Sequence, residues 1–285
     1  MWPELYSPGR RRADLRRRLS RWYACAGRDL PWRRTSDPYA VLVSEVMLQQ
    51  TQVQRVLPAY VQFLDRFPTL ATLARASLGD VLRAWGGLGY PRRARDLHRA
   101  ARTCPAALPG TRAELDALPG VGRYTAGAVA CFAHGHDEAF ADVNIARVLG
   151  RVERGGAITL REAEVLDASL LPPGDSARWH HALMDLGATV CTSRAPRCDV
   201  CPFDGLCRAR AIGVVPTASR HQAAFATSDR RVRGRILAAL RAATDGLTPA
   251  ALRAHVDDER VGRLIVTLVE EGLVERSGRR IILPA

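Results

Sequence analysis

The sequence contains no lysine: all 42 of its basic residues are arginine. Arginine keeps its proton at every accessible pH, so chemistry through an amine nucleophile has no side chain to use, and only the α-amino group of Met1 would serve. Acids are scarce by comparison, 29 against 42, which leaves a net charge of +13. That excess favours a polyanionic partner, most often nucleic acid, although a charged surface tuned for solubility would give the same composition. Long apolar runs are missing too. The longest, Pro38 to Met47, is broken by Ser44 and Glu45 and falls far short of the ~20 residues a membrane span needs. No apolar segment follows the arginine-rich start, so no secretory signal and no membrane association are expected, and the expected compartment is the cytoplasm, with the nucleoid as its site of work. Aromatic residues make up only 6%, but 47% hydrophobic and 25% charged residues are a normal globular balance. That balance excludes disorder, and 285 residues leave room for about two domains.

What is present is helical patterning. Leu15, Leu19, Trp22 and Tyr23 recur at helical spacing among arginines, and residues 1–34 hold ten arginines against three acids. Asp37 and Pro38 offer an N-cap and a first-turn proline for an apolar helix carrying Val41, Leu42, Val43, Val46, Met47 and Leu48. Further helices are predicted over 52–67, 78–85, 92–102, 123–132, 145–152 and 179–190, with no alternating strands before residue 208. Residues 1–207 therefore read as one all-α domain. A connection follows at 208–228. Residues 229–285 then show helices over 232–243, 249–255 and 259–271 and two short strands around Ser277 and Gly278. That order suggests a winged-helix-like α+β unit, and any small helical cap would share it. Residues 208–285 carry 14 arginines against eight acids, a net of +6 suited to phosphate contacts.

Four of the seven cysteines stand within 17 residues, as Cys191-x6-Cys198-x2-Cys201-x5-Cys207. Without a secretion signal, such clustering reads as a metal site rather than as disulfides. Ligand type alone serves zinc and a [4Fe-4S] cluster equally. The 6-2-5 spacing resembles the cluster loop of the endonuclease III superfamily of DNA glycosylases, which implies iron and sulfide. Cys25, Cys104 and Cys131 are expected as buried structural thiols. In Leu118-Pro119-Gly120-Val121-Gly122-Arg123-Tyr124-Thr125, two glycines turn the chain into a helix, where backbone N–H groups of Leu118, Gly120, Val121 and Gly122 can approach an anion. The segment resembles the helix-hairpin-helix motif that grips a DNA phosphate; a plain tight turn is the bland alternative.

Two carboxylates sit in unusual surroundings. Glu45 interrupts an apolar helix, and a carboxyl among apolar groups tends to hold a proton at neutral pH and can give it to a leaving group. Asp142 opens Asp142-Val143-Asn144-Ile145-Ala146-Arg147, and a carboxylate at a helix start suits a developing cation. A buried salt bridge at 45 and a simple N-cap at 142 fit these positions equally well.

From Trp22 to Cys207, about two thirds of the chain, the sequence resembles the adenine DNA glycosylases that excise adenine mispaired with 8-oxoguanine. The resemblance rests on Leu30-Pro31-Trp32-Arg33, Asp37-Pro38-Tyr39, Ser44-Glu45-Val46-Met47-Leu48-Gln49-Gln50-Thr51-Gln52, Gly87-Leu88-Gly89-Tyr90, Arg93-Ala94-Arg95, the hairpin, Asp142-x-Asn144 and Met184-Asp185-Leu186-Gly187-Ala188. It implies a helix-hairpin-helix glycosylase fold with an iron-sulfur cluster loop, acting as a monomer on double-stranded DNA that contains adenine mispairs. By the same resemblance Glu45 protonates adenine at N7, Asp142 stabilises or traps the sugar cation, and Asn144 and Tyr124 orient the acid pair. Gln50 and Tyr90 resemble the wedge that fills the gap left by the flipped adenine, and Leu30, Trp32, Arg33 and Gln49 line its pocket. In the bifunctional branch the position of Tyr124 is a lysine that forms a Schiff base; here it is tyrosine.

The sequence departs from that family in four places. Val143 stands where glycine is common, Pro91 where a second tyrosine is common, and His181 where Gln or Glu usually helps bind adenine. The fourth departure is larger: the family usually ends in a Nudix-like domain that reads 8-oxoguanine, and 78 residues of winged-helix-like character cannot be one. Two other readings stay open. One is a thymine or uracil mismatch glycosylase of the same superfamily; the other is an iron-sulfur winged-helix regulator, which leaves Glu45, Asp142 and the hairpin without a task.

Overall fold

A computed structural model describes residues 8–213 and 225–285. The helices are α1 (Pro8–Ala26), α2 (Pro38–Leu48), α3 (Val53–Arg66), α4 (Leu70–Arg75), α5 (Leu78–Trp85), α6 (Arg92–Thr103), α7 (Arg112–Asp116), α8 (Arg123–Phe132), α9 (Val143–Leu149), α10 (Leu160–Leu170), α11 (Ser176–Thr189), α12 (Arg208–Ile212), α13 (Asp229–Ala242), α14 (Pro249–Val256) and α15 (Val261–Glu270). A hairpin of β1 (Glu275–Ser277) and β2 (Arg280–Ile282) ends the chain. The strands pair antiparallel with Arg276 opposite Ile281, and Leu247 adds a bridge to Ile281. The described part of residues 8–207 is thus all-α, as the sequence predicts.

The chain divides into two compact units. One holds the described residues of Met1–Pro38, Gly110–Asp116 and Arg123–Arg220; the other holds those of Tyr39–Pro109, Ala117–Gly122 and His221–Ala285. In the first, Leu15 and Leu19 of α1 pack with Ile145, Val148 and Leu149 of α9, Trp179, Leu183 and Leu186 of α11, and Phe203 and Leu206. The arginines of α1 are partly spent inside this unit: Arg11 donates to Leu206 O at 2.8 Å, Arg16 to Leu170 O at 2.7 Å and Arg18 to Asp204 O at 2.8 Å. They satisfy carbonyls that helix ends and loops would otherwise leave unpaired. In the second unit Phe63, Phe67 and Trp85 meet edge to face, α6 packs on α4 and α5, and α13 packs on α5, α14 and α15.

Several details differ from the sequence reading. Helix α10 was not foreseen from periodicity, yet its Thr159–Glu162 capping box is explicit. Residues 208–212 of the expected connection are helical, and residues 214–224 lie outside the described residues. The expectation of three buried structural thiols is corrected: Cys131 is buried, Cys104 is half-buried and Cys25 is exposed. Cys25 falls off the stripe set by Leu15, Leu19 and Trp22 in the last turn of α1. Among the described residues, no helix is long and apolar enough to cross a membrane.

Candidate active site

In the first unit Asp142 caps α9. Its Oδ1 accepts the backbone N–H groups of Asn144 at 2.9 Å and Ile145 at 2.8 Å, and its Oδ2 accepts the Asn144 side-chain amide at 2.8 Å. Three donors and a helix N-terminus therefore fix both carboxylate oxygens. Asn144 is fixed in turn, since its own Oδ1 accepts from Arg147 at 2.8 Å. A Cβ on Gly187 would lie 2.7 Å from the Asn144 Cβ, so glycine permits this close approach. Tyr124, on α8, packs edge to face on Phe140 with centroids 5.5 Å apart. It lines an open pocket with Phe140, Ala141 and the ion cluster of Arg112, Arg123 and Glu164.

Leu30, the cap residue of the 3-10 turn Pro31–Arg33, and Trp32 within that turn are both buried. Arg33 is bidentate on the fully buried Asp185, at 2.8 and 2.7 Å, and Arg28 adds its backbone N–H at 2.8 Å and its guanidinium at 2.7 and 2.6 Å to the same carboxylate. Burial alone would raise the Asp185 carboxyl, but the hydrogen bonds and charges of Arg33 and Arg28 hold it below the usual range. Arg33 is thus committed to the structure beside the pocket residues. His181 stacks on Phe132 at 4.2 Å. Burial, reinforced by the Arg33 charge, pushes its imidazole down to about 3, so it is neutral near pH 7 and can accept a hydrogen bond.

The four clustered cysteines, all unpaired, line one cavity with Arg151, Arg197 and Arg210. Among the described residues no group of three or more His, Cys, Asp or Glu side chains is gathered to hold a metal ion. Four thiols around one cavity are a donor set that fits a thiolate-bound metal group, a zinc ion or an iron-sulfur cluster alike. Burial pushes the Cys201 thiol up to about 12 and raises Cys207 as well, so a group binding thiolates here must bring positive charge. Arginines of α9 and the π-helical turn after it, Gly150–Arg154, brace this loop. Arg151 donates to the Cys191 sulfur at 3.4 Å and to Thr192 O at 2.7 Å; Arg147 donates to Cys191 O at 2.8 Å. Arg147 therefore touches both Asn144 and the cysteine loop. Neither arginine stood out in the sequence, although Asn144, Arg147 and Arg151 share one face of an otherwise apolar helix.

In the second unit Glu45 is 6% exposed on α2, among Val41, Leu42, Val43, Val46 and Met47, all buried. Gln49 is half-buried and Gln50 exposed just beyond that helix. Gln50 and Tyr90 have φ of 55° and 48°, and with Asp257 they are the non-glycine residues of positive φ in the described chain. Such a conformation costs about 1–3 kcal/mol and persists where surroundings over-determine it, often at functional sites. Arg93 supplies much of that determination. It donates to the carbonyls of Val46 at 2.8 Å, Met47 at 3.0 Å and Gln49 at 2.6 Å, and to the Thr51 hydroxyl at 3.1 Å. Its guanidinium also lies 5.3 Å from the Tyr90 ring centroid. Burial lowers it to about 10, which leaves it charged. One arginine thus holds both loops that carry the residues read as a wedge, a reach that sequence spacing does not reveal. The hairpin Leu118–Gly122 belongs to the same unit. Leu118 and Val121 are buried anchors, while Gly120 and Gly122 are exposed. Gly120, with φ of 74°, lies where a Cβ would meet the Asp96 Cβ at 2.6 Å, so this turn requires glycine.

Residues 43–172 match the family described as HhH-GPD superfamily base excision DNA repair protein. An adenine DNA glycosylase of Mycolicibacterium smegmatis is 43% identical over 270 residues, covering 91% of this chain and 92% of that protein; the similarity therefore reaches into residues 229–285. The human adenine DNA glycosylase is 45% identical over 210 residues, 67% of this chain and 38% of the human protein. Among solved structures, a thermostable thymine-DNA glycosylase superposes with a TM-score of 0.67 at 27% identity, over 71% of this chain and 98% of that one. The chain belongs to the adenine DNA glycosylase family of the HhH-GPD superfamily of base excision repair proteins.

Proposed function

We propose that this protein is a monofunctional glycosylase that hydrolyses the N-glycosidic bond of adenine paired with 8-oxoguanine or guanine in double-stranded DNA. The observation that carries the reading is the contrast between its two carboxylates: Glu45 buried on an apolar helix, and Asp142 held by three donors at a helix N-terminus. Glu45 gives its proton to N7, the C1′–N9 bond breaks, and adenine leaves neutral. Asp142 stabilises or captures the sugar cation until water adds at C1′, following the two-carboxylate logic of retaining glycosidases. In this reading Leu30, Trp32 and the neutral His181 of the first unit and Gln49 of the second each contact the extruded base, while Gln50 and Tyr90 fill the gap in the stack. The hairpin at Leu118–Gly122 offers backbone N–H groups to a phosphate. Because Tyr124 replaces the Schiff-base lysine and no lysine exists elsewhere, the reaction stops at the abasic site.

Cys191, Cys198, Cys201 and Cys207 would hold a [4Fe-4S] cluster that orders the loop rather than entering the reaction. Protein purified anaerobically should be brown, with broad absorption near ~400 nm and about four irons per chain. A colourless preparation with one equivalent of zinc would contradict this assignment. The functional reading is tested by single-turnover reactions on duplexes with adenine opposite 8-oxoguanine, guanine and thymine, and with thymine opposite guanine. Adenine release from the first two is expected. Release of thymine from the last would replace this reading with a thymine mismatch glycosylase.

A further inference from the structure

The C-terminal helices have no part in the chemistry above, yet they touch it. Arg230, at the start of α13, donates from Nη1 to the Tyr90 hydroxyl oxygen at 3.1 Å. We propose that the C-terminal helices of the second unit set the wedge, with Arg230 as the positioning residue of Tyr90. This rests on the reading of Tyr90 as wedge.

Three observations support it. First, Tyr90 sits at a φ of 48°, and a bulky side chain remains there only if several contacts agree. Arg93 lies against the ring, and Arg230 fixes the far end of the phenol, so the ring is held at two points. Second, the C-terminal segment carrying Arg230 is fastened, within the second unit, to the helix that follows Tyr90. Glu271 is 8% exposed and accepts from Arg92 of α6 at 2.6 Å and from Arg233 of α13 at 2.8 Å. Burial would raise that carboxyl, but the two arginines bring it down to about 2, so the clamp is ionised across the working pH range. The chain end adds a second fastening, with Gly79 N–H donating to Pro284 O at 2.7 Å. Third, α13 also packs on α5 and on the turn Gly86–Leu88 that leads into Tyr90. An arginine donor on the phenol oxygen leaves the hydroxyl proton available for a second partner.

The experiment uses the full chain and four variants: Arg230→Met, which keeps the stem but removes the donors; Tyr90→Phe, which keeps the ring but removes the hydroxyl; the double variant; and Tyr90→Ala. Wedge insertion is read by the fluorescence of 2-aminopurine placed beside 8-oxoguanine, and affinity by titration of a duplex whose adenine is replaced by a non-cleavable analogue. Arg230→Met and Tyr90→Phe should each weaken mismatch affinity on the order of tenfold, as expected for a charge-assisted hydrogen bond. The double variant should be no worse than either single one, because the two groups act through one bond. Binding of matched duplex should be unchanged, and so should the slope of affinity against salt.

Fully additive losses in the double variant, or a salt slope reduced by about one in Arg230→Met, would overturn the proposal by making Arg230 a phosphate contact. An unaltered fluorescence change and affinity in Arg230→Met, with both lost in Tyr90→Ala, would also overturn it while sparing the wedge. If Tyr90→Ala itself changed nothing, the wedge reading would fall and the proposal with it.

Discussion

Glu45→Gln is expected to lower the single-turnover rate of adenine release by about 10²- to 10⁴-fold, while the variant still binds a duplex with adenine opposite 8-oxoguanine within a few-fold of the parent. Glutamine has the size of glutamate and fits the same buried place on α2, where Glu45 is 6% exposed. It offers an amide in place of an acidic proton, so N7 stays unprotonated and adenine would have to leave as an anion. The packing of Val41, Leu42 and Met47, all fully buried on the same helix, is untouched, so a folding defect does not account for the loss. Rates should be taken with enzyme in excess, to separate chemistry from product release, and affinities with the non-cleavable duplex. Excision near the parent rate would remove Glu45 from the role of acid.

Asp142→Asn separates two roles that meet in one side chain. As the N-cap of α9, Asp142 satisfies the N–H groups of Asn144 and Ile145 through a single oxygen, Oδ1. Asparagine is as good an N-cap as aspartate, so its side-chain oxygen can keep both backbone bonds, but its amide NH2 takes the place of Oδ2 and loses the bond from the Asn144 side chain, and stability should fall by about 1–2 kcal/mol. The negative charge proposed to stabilise the sugar cation is lost, however, and the rate of base release should drop by at least about 10²-fold. Asp142→Ala would lose the cap as well and serves as the contrast: melting temperature and rate should both fall. A stable Asp142→Asn variant with near-parent activity would reduce Asp142 to a helix cap, the bland reading its sequence position also allowed.

Much of the candidate site is legible in the sequence because its signals are local. Four cysteines in 17 residues, two glycines at a helix start and an acid inside an apolar run are each short-range exceptions to a pattern. The positions the structure gives to Glu45, Asp142 and the hairpin follow from those exceptions. What the sequence hid is long-range. Arg93 reaches back more than forty residues to the carbonyls at the end of α2, and Arg151 acts from a π-helical turn that no periodicity announces. The arginine excess was also only partly a statement about DNA, since Arg11, Arg16 and Arg18 spend their donors on internal carbonyls. Helix α10 carries a capping box in plain view, at Thr159 and Glu162, and was missed because its exposed face bears Leu160 and Val165, which blur the apolar stripe.

The central claim, hydrolysis of one glycosidic bond to adenine without strand cleavage, is met most directly by a product analysis on one duplex. Protein in excess is incubated with DNA carrying a single adenine opposite 8-oxoguanine; the released base is identified by mass, and the strand is resolved before and after alkali, with and without borohydride. Free adenine should appear in step with alkali-labile sites, the strand should stay intact until alkali is added, and borohydride should trap no protein–DNA adduct. Release of a different base, or efficient trapping on an internal residue of this lysine-free chain, would contradict the account.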